Sequence, residues 1–362
     1  MQYLRRNTNI PVPQVYAYGR SQLCRDSSEL QAFIIMEHIQ GQSLTREALE
    51  TSPEPRRRLF LQHLVDVFAQ LRKLPFPRGG SLMPSNNEDI ELENPPDIVG
   101  AFSIRKNEFQ AAGYTVSRTV TTSSKEFFHE QLRILQHMWT MPYQKLDRKQ
   151  AEREEFARQF ISQPEVQDRI GINSTTASSF FLAHPDLRPG NILVDDELNI
   201  CGIIDWEYTA TVPQCAFSPP AWITGHDSGF ADLPSEFTSV LSSMKDKSTY
   251  HSQLAAEWGS RDFLVWPLSH ILMDPADLDF IFWRTVMPNI TGLCDIPIPD
   301  HVQLQEDVDR RLEVSRRFAQ YLDDNNLHVE GREEEIQRLL QQTRATIELL
   351  KGGLPLTHHD ST

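Results

Sequence analysis

Apolar residues recur three and four positions apart between Pro55 and Leu74, at Leu59, Phe60, Leu64, Val65, Phe68 and Leu71. That period predicts an amphipathic helix, and Pro75 and Pro77 predict its end. Before it, residues 1–7 read as the last turns of a helix. In "IPVPQVYAYG", Pro11 and Pro13 exclude helix and favour an extended entry. Val15–Tyr18 then alternates as a strand that stops at Gly19. "AFIIMEHIQG" (Ala32–Gly41) is an apolar strand running into a polar turn.

Residues 75–122 are rich in Pro, Gly, Asn and Ser, with short β-like pieces such as "GAFSI", and predict an insertion or long loop. Helices follow near Ser124–Trp139 and Asp147–Ile161. The period then changes. Phe180–Ala183, Ile192–Val194 and Ile200–Ile204 are apolar runs of strand length, separated by a loop at His184–Asn191 and a turn at Asp195–Asn199. From Pro234 to Leu350 the pattern is mostly helical, ending in helices at Gln303–Asp323 and Glu333–Lys351. Residues 352–362 read as a disordered tail. His358 and His359 in it lack the further ligands that a metal needs.

Composition narrows the picture. A chain of 362 residues makes two domains or one large domain in two lobes. A net charge of −15 argues against nucleic acid and against an anionic membrane surface, and weakly favours a cationic ligand. No apolar run approaches the ~20 residues that span a bilayer. Cys24, Cys201, Cys215 and Cys294 form no C-x-x-C pair, so they read as reduced thiols of a cytoplasmic protein. There is no G-x-S-x-G motif of the hydrolase kind.

The chemistry concentrates in "AHPDLRPGN" and the "IIDWE" that follows. Phosphoryl transfer needs a carboxylate to accept a hydroxyl proton, acid and amide oxygens for magnesium, and a cation on the moving group. Asp186 sits in a loop, where it can face a cleft. Arg188 offers a guanidinium, and Pro189–Gly190 turns the chain back. Asn191 and Asp205, at facing ends of a hairpin, offer an amide and a carboxylate to one metal. The plainer alternative is two hairpin strands with polar turns.

"HPDLRPGN" has the H-x-D-x-x-P-x-N spacing of the catalytic loop in the aminoglycoside phosphotransferase family, within the protein-kinase-like superfamily, and "IIDWE" resembles that family's metal segment. The resemblance implies an α+β, protein-kinase-like fold with a mostly helical C-lobe. It implies Asp186 as catalytic base with Arg188 beside it, Asn191 and Asp205 as Mg2+ ligands, and His184 as a brace. Glu207 either supports the metal or forms a salt bridge. "FIIMEHIQG" resembles the linker between lobes, which implies adenine of ATP near Met36, Glu37, His38 and Ile39. Residues 1–40 then form an N-lobe remnant and linker, and 41–351 the C-lobe. The substrate implied is a small molecule with a hydroxyl.

The sequence departs from the family at the start. No Gly-rich loop precedes Glu37, and the first lysine is Lys73. The expectation is an N-terminally truncated family member with little or no ATP turnover. Three accounts compete: a truncated reading of a longer gene, a short product that binds without turnover, or Arg188 or Arg20 replacing the lysine. The alternative function is a non-catalytic pseudokinase or ligand-binding module on the same fold. On the acceptor side, Trp222 reads as core rather than as a stacking platform. Asp274, Asp277 and Asp279 could meet an amine-bearing substrate, although Asp274 and Asp277 read rather as helix-start residues beside Pro275. His226–Asp227 is an unsupported dyad.

Overall fold

The computed structural model describes residues 1–21, 30–84, 90–91, 121–140, 146–170, 179–206, 209–226, 232–259, 264–274, 277–292, 296–325 and 327. The "GAFSI" piece, Glu207, Asp227, Pro275, the helix at Glu333–Lys351 and the tail with His358 and His359 lie outside them, as do Cys24 and Cys294.

The chain opens with α1 (Gln2–Asn7) and an extended segment whose Ile10 and Val12 are buried. β1 (Val15–Ser21) pairs antiparallel with β2 (Gln31–Met36). β1 continues past Gly19, where the strand was expected to stop, because Gly19 lies opposite Phe33 and the ladder holds through to Ser21. This two-stranded ribbon exposes Tyr16, Tyr18, Ile34, Ile35 and Met36.

β3 (Gln42–Ser43) and α2 (Arg46–Thr51) lead into α3 (Glu54–Arg72). Thr45 caps α2, its hydroxyl accepting from the Ala48 amide at 3.1 Å. α3 buries Phe60, Leu61, Leu64, Val65 and Phe68, the face its period predicted, while Leu59 stays exposed at the margin of that stripe. β4 (Pro75–Phe76) and β5 (Gly80–Ser81) follow, and β6 (Met83–Pro84) pairs with β7 (Ile90–Glu91). α4 (Ser124–Thr140), α5 (Arg148–Ile161) and α6 (Pro164–Arg169) precede the sheet that carries the site.

β8 (Phe180–Ala183) pairs with β4 and with β11 (Ala210–Pro213), giving the order β4-β8-β11-β5. β9 (Ile192–Val194) and β10 (Ile200–Ile203) form a hairpin, and β3 adds to β9. Helices α7 (Ala221–Thr224), α8 (Leu233–Ser243), α9 (Thr249–Gly259), α10 (Val265–Met273), α11 (Leu278–Ile281) and α12 (His301–Asp324) complete the described chain.

The core lies where α3 meets α8 and α9. Phe68 meets Trp258 edge-on at 5.2 Å and Phe217 at 6.2 Å, and Phe60 meets Trp222 at 6.4 Å. Such aromatic pairs add about 0.5–1.5 kcal/mol to the burial of the rings themselves. Arg72, at the end of α3, is buried over the Phe181 ring at 3.6 Å and paired with Glu257. Residues Met1–Thr140 with Arg153–Leu304 form one compact unit, and Met141–Glu152 with Gln305–Thr362 another. Within the second, Arg148 pairs with Asp309, and the Leu146 amide donates to the Ser315 hydroxyl at 3.2 Å.

Candidate active site

β8 ends at Ala183, and the next eight residues cross to β9. The crossing is pinned at both ends. His184 is buried, and its Nε2–H donates to the Ile204 carbonyl at 2.9 Å. The Ile204 amide in turn donates to the Asn191 carbonyl at 3.0 Å. The loop that carries Asp186 is thus tied to the residue just before Asp205. Burial pushes the His184 imidazole below its ordinary pKa, so the ring stays a neutral donor. Its ring lies 4.7 Å from that of Trp206, whose own N–H donates to Ile203.

Within the loop, the Leu187 amide donates to His184, that of Arg188 to Asp186, and that of Asn191 to Arg188. Pro189–Asn191 closes as one 3-10 turn. Asn191 is buried, and its Nδ2 donates to the Asp186 carbonyl at 2.8 Å and to Asp186 Oδ2 at 3.2 Å. The amide's nitrogen is committed to Asp186, so its oxygen is the acceptor on the other side. Arg188 is largely exposed and straddles two acids, 3.6 Å from Asp186 Oδ2 and 4.0 Å from Asp205 Oδ2. Asp205 has φ 64°, a left-handed conformation that Asp tolerates better than most residues.

The four residues expected at the reaction centre, Asp186, Arg188, Asn191 and Asp205, are therefore neighbours. Among the described residues no cluster of three or more His, Cys, Asp or Glu could hold a metal. The two residues expected to bind metal, Asn191 and Asp205, offer an amide oxygen and a carboxylate, oxygen donors that suit a hard cation that retains waters. The space between the carboxylates already faces a cation, the Arg188 guanidinium. These residues fit magnesium.

The linker residues divide. Met36 ends β2 and is exposed. Glu37 turns back: its amide donates to the Gln14 carbonyl at 2.7 Å, and its Oε2 accepts from the Gln14 amide at 3.0 Å and Arg5 at 3.3 Å. His38, Ile39 and Glu37 line an open groove of about 500 Å³ with Arg5, Pro11 and Cys201. Ile39 lies on Gly202, where a Cβ would stand 2.6 Å from Ile39 Cδ1. The extended segment closes against β10, the Ile203 amide donating to the Pro11 carbonyl at 2.7 Å.

On the acceptor side, Trp222 is core, and its indole N–H donates to the Leu187 carbonyl at 2.7 Å. Asp274 ends α10 rather than starting a helix, and Asp277 precedes α11 without a side-chain cap. Asp279 is committed to Arg153, at 2.7 and 2.9 Å. His226 is buried, its Nδ1 3.0 Å from the Thr224 hydroxyl. Sequence reasoning missed Arg5, Gly202 and Cys201 around the linker. The signal that points to them is the "IPVP" segment, whose missing amide hydrogens force it to bond outward.

The pattern that defines the phosphotransferase enzyme family (APH) matches residues 1–213. The clavilactone A biosynthesis cluster protein Y of Ampulloclitocybe clavipes is 27% identical over 236 residues, covering 63% of this chain and 52% of its own length. The chain thus spans about half the length of the curated relative it matches. A solved aminoglycoside phosphotransferase, APH(4)-Ia in ternary complex with AMP-PNP and hygromycin B, is 15% identical, with a TM-score of 0.40 over 86% of this chain and 81% of the other. An ethanolamine kinase of Plasmodium vivax is 14% identical, with a TM-score of 0.39 over 84% and 68% of the two chains.

Proposed function

This chain belongs to the phosphotransferase enzyme family, with an α+β, protein-kinase-like fold, and we propose that its site transfers the γ-phosphoryl group of ATP to a hydroxyl of a small molecule. The observation that carries the reading is the joint placement of Asp186, Asn191, Arg188 and Asp205. Asp186 Oδ2, oriented by Asn191, accepts the proton of the substrate hydroxyl as its oxygen bonds to phosphorus and the bond to ADP breaks. Arg188 leaves the two carboxylates and follows the charge on the phosphoryl oxygens. Asn191 Oδ1 and the Asp205 carboxylate would hold magnesium, which would supply positive charge against the phosphates. The linker residues Glu37, His38 and Ile39, with Met36 before them, take the adenine.

The net charge of −15 favours an acceptor that carries an amine as well as a hydroxyl. Among the described residues Cys201 and Cys215 are not in disulfides, in keeping with the cytoplasmic setting we propose. Among the described residues no helix is long and apolar enough to cross a membrane.

A second reading keeps the binding and drops the turnover. No lysine precedes Lys73, so residues 1–362 hold no strand lysine before the linker to pair the α- and β-phosphates. We expect residues 1–362 alone to release ADP slowly or not at all. Thermal melting with magnesium and ATP separates the readings. Stabilisation of the wild type that Asp205→Asn removes supports a nucleotide site. No shift at millimolar nucleotide would sink both. Rapid ADP release, dependent on Asp186 and on an added hydroxyl compound, would sink only the second.

A further inference from the structure

Away from the site, side chains from α3, from α9 and from Ser248 just before α9 form a relay that the phosphotransfer reading does not use. His251, on α9, is buried, and its Nε2 lies 2.9 Å from Asp66 Oδ1 on α3. A carboxylate only accepts, so Nε2 carries the hydrogen and Nδ1 is left as an acceptor. Nδ1 lies 2.8 Å from the Ser248 hydroxyl, so that hydroxyl donates to it. Lys247 holds both oxygens of Asp66, at 2.6 and 2.7 Å, and fixes the carboxylate's orientation. We propose that Ser248 is a nucleophile activated by His251 and Asp66, forming an acyl-accepting site for small carboxylic esters.

The sequence of bonds, hydroxyl to imidazole to carboxylate, is the one that activates a serine. The plainer role of Ser248 is to cap α9, where the His251 amide lies 3.4 Å from Ser248 Oγ. The cap uses a lone pair of the oxygen and leaves its proton for Nδ1. It also needs neither a buried imidazole nor a carboxylate 185 residues away in sequence. Ser248 is exposed, and it stands one turn before Ser252. Ser252 lines an open groove of about 440 Å³ between α8 and α9, with Leu241, Ala255 and Ala256 as apolar wall and Lys245 beside them.

In the reaction, Ser248 Oγ bonds to the ester carbonyl carbon while its proton passes to His251 Nδ1. The carbonyl then re-forms, the carbon–alkoxy bond breaks, and the alcohol leaves with that proton. Water repeats the sequence on the acyl-serine and restores the hydroxyl.

A fluorophosphonate probe tests this on the whole chain, because Ser248 displaces fluoride by the same proton transfer. Peptide mass analysis should find Ser248 labelled at least about tenfold faster than the exposed Ser242 and Ser243. His251→Gln and Asp66→Asn should each remove that advantage. Ser248→Asn, which keeps a capping side chain, should remove the adduct without lowering Tm. Labelling of Ser248 no faster than of Ser242 in the wild type overturns the proposal. So does an unchanged rate in either relay variant with wild-type melting.

Discussion

The indole N–H of Trp222 donates to the carbonyl of Leu187, the residue directly after Asp186, at 2.7 Å. Both residues are buried, so the bond is sheltered from competing water. A tryptophan 35 residues beyond the loop therefore helps to set where Asp186 stands. Trp222→Phe keeps most of the ring's packing against Phe60 but leaves the Leu187 carbonyl without its donor. We predict a stability loss of about 1–3 kcal/mol in urea denaturation. Any magnesium–nucleotide stabilisation should weaken with it. An unchanged urea midpoint would show that another donor replaces the indole.

Asn191 gives a second test, because Asn191→Asp alters no shape. The substitution replaces the nitrogen that donates to Asp186 with a second carboxylate oxygen, 3.2 Å from Asp186 Oδ2 at the starting geometry. Two like charges then face each other in a buried turn. The variant should be less stable by about 1–3 kcal/mol near neutral pH, and should regain part of that as acid protonates one member of the pair. Equal urea midpoints for variant and wild type at neutral pH would contradict the assigned amide orientation.

Ile39 rests on a glycine. A side chain at position 202 would meet Ile39, so Gly202→Val should push Ile39 outward and cost about 1–3 kcal/mol. Ile39→Ala in the same chain should relieve much of the clash. A double-mutant cycle read by thermal melting should therefore give a coupling well away from zero. Additive effects would mean that the two residues do not touch in solution.

The acid limb of stability has a local source. His226 and His270 face each other with ring centres 5.9 Å apart. Burial lowers the His226 pKa to about 4. Burial, then the neighbouring His226, lowers that of His270 to about 3, against a hydrogen bond to the Pro219 carbonyl. In the unfolded chain both titrate near the ordinary histidine value, about 6.5. Above that pH both states hold neutral rings and the pair has no effect on stability. Below it the unfolded state takes up protons that the folded state refuses. Stability should fall as pH drops from about 6.5 toward 4, by about 1.4 kcal/mol per unit for each histidine. His270→Gln should flatten that limb in urea titrations at several pH values, and an unchanged slope would move the cause elsewhere.

Where a signal is local, the sequence carried it. The stripe on α3 needs only one helical period, and "HPDLRPGN" needs only residue types at fixed spacing. Asp186, Arg188, Asn191 and Asp205 could be marked as a set for that reason. What joins them could not. The Trp222 bond, the Ile203 bond to Pro11 and the pairing of Arg72 with Glu257 each connect distant segments, and a single sequence has no term for distance in space. Arg72 is buried although it is a charged residue in the last turn of α3. β11 was not anticipated either: four residues ending in proline give too short a run for a period to show, and pairing with β8 makes the strand. Asp279 looked free to meet a substrate until Arg153, 126 residues earlier, was seen to hold it.

The left-handed backbone at Asp205 bears on how such a site can be lost. One base change in an aspartate codon leads to asparagine or to glycine, the two residues most at home at positive φ. Both discard the carboxylate and neither strains the hairpin. Glutamate, also one change away, keeps the charge but fits that backbone worse. If Asp205 holds the metal as proposed, drift at this codon runs downhill for folding and toward silence for chemistry, and a lineage could lose the proposed reaction here while the protein went on folding as before.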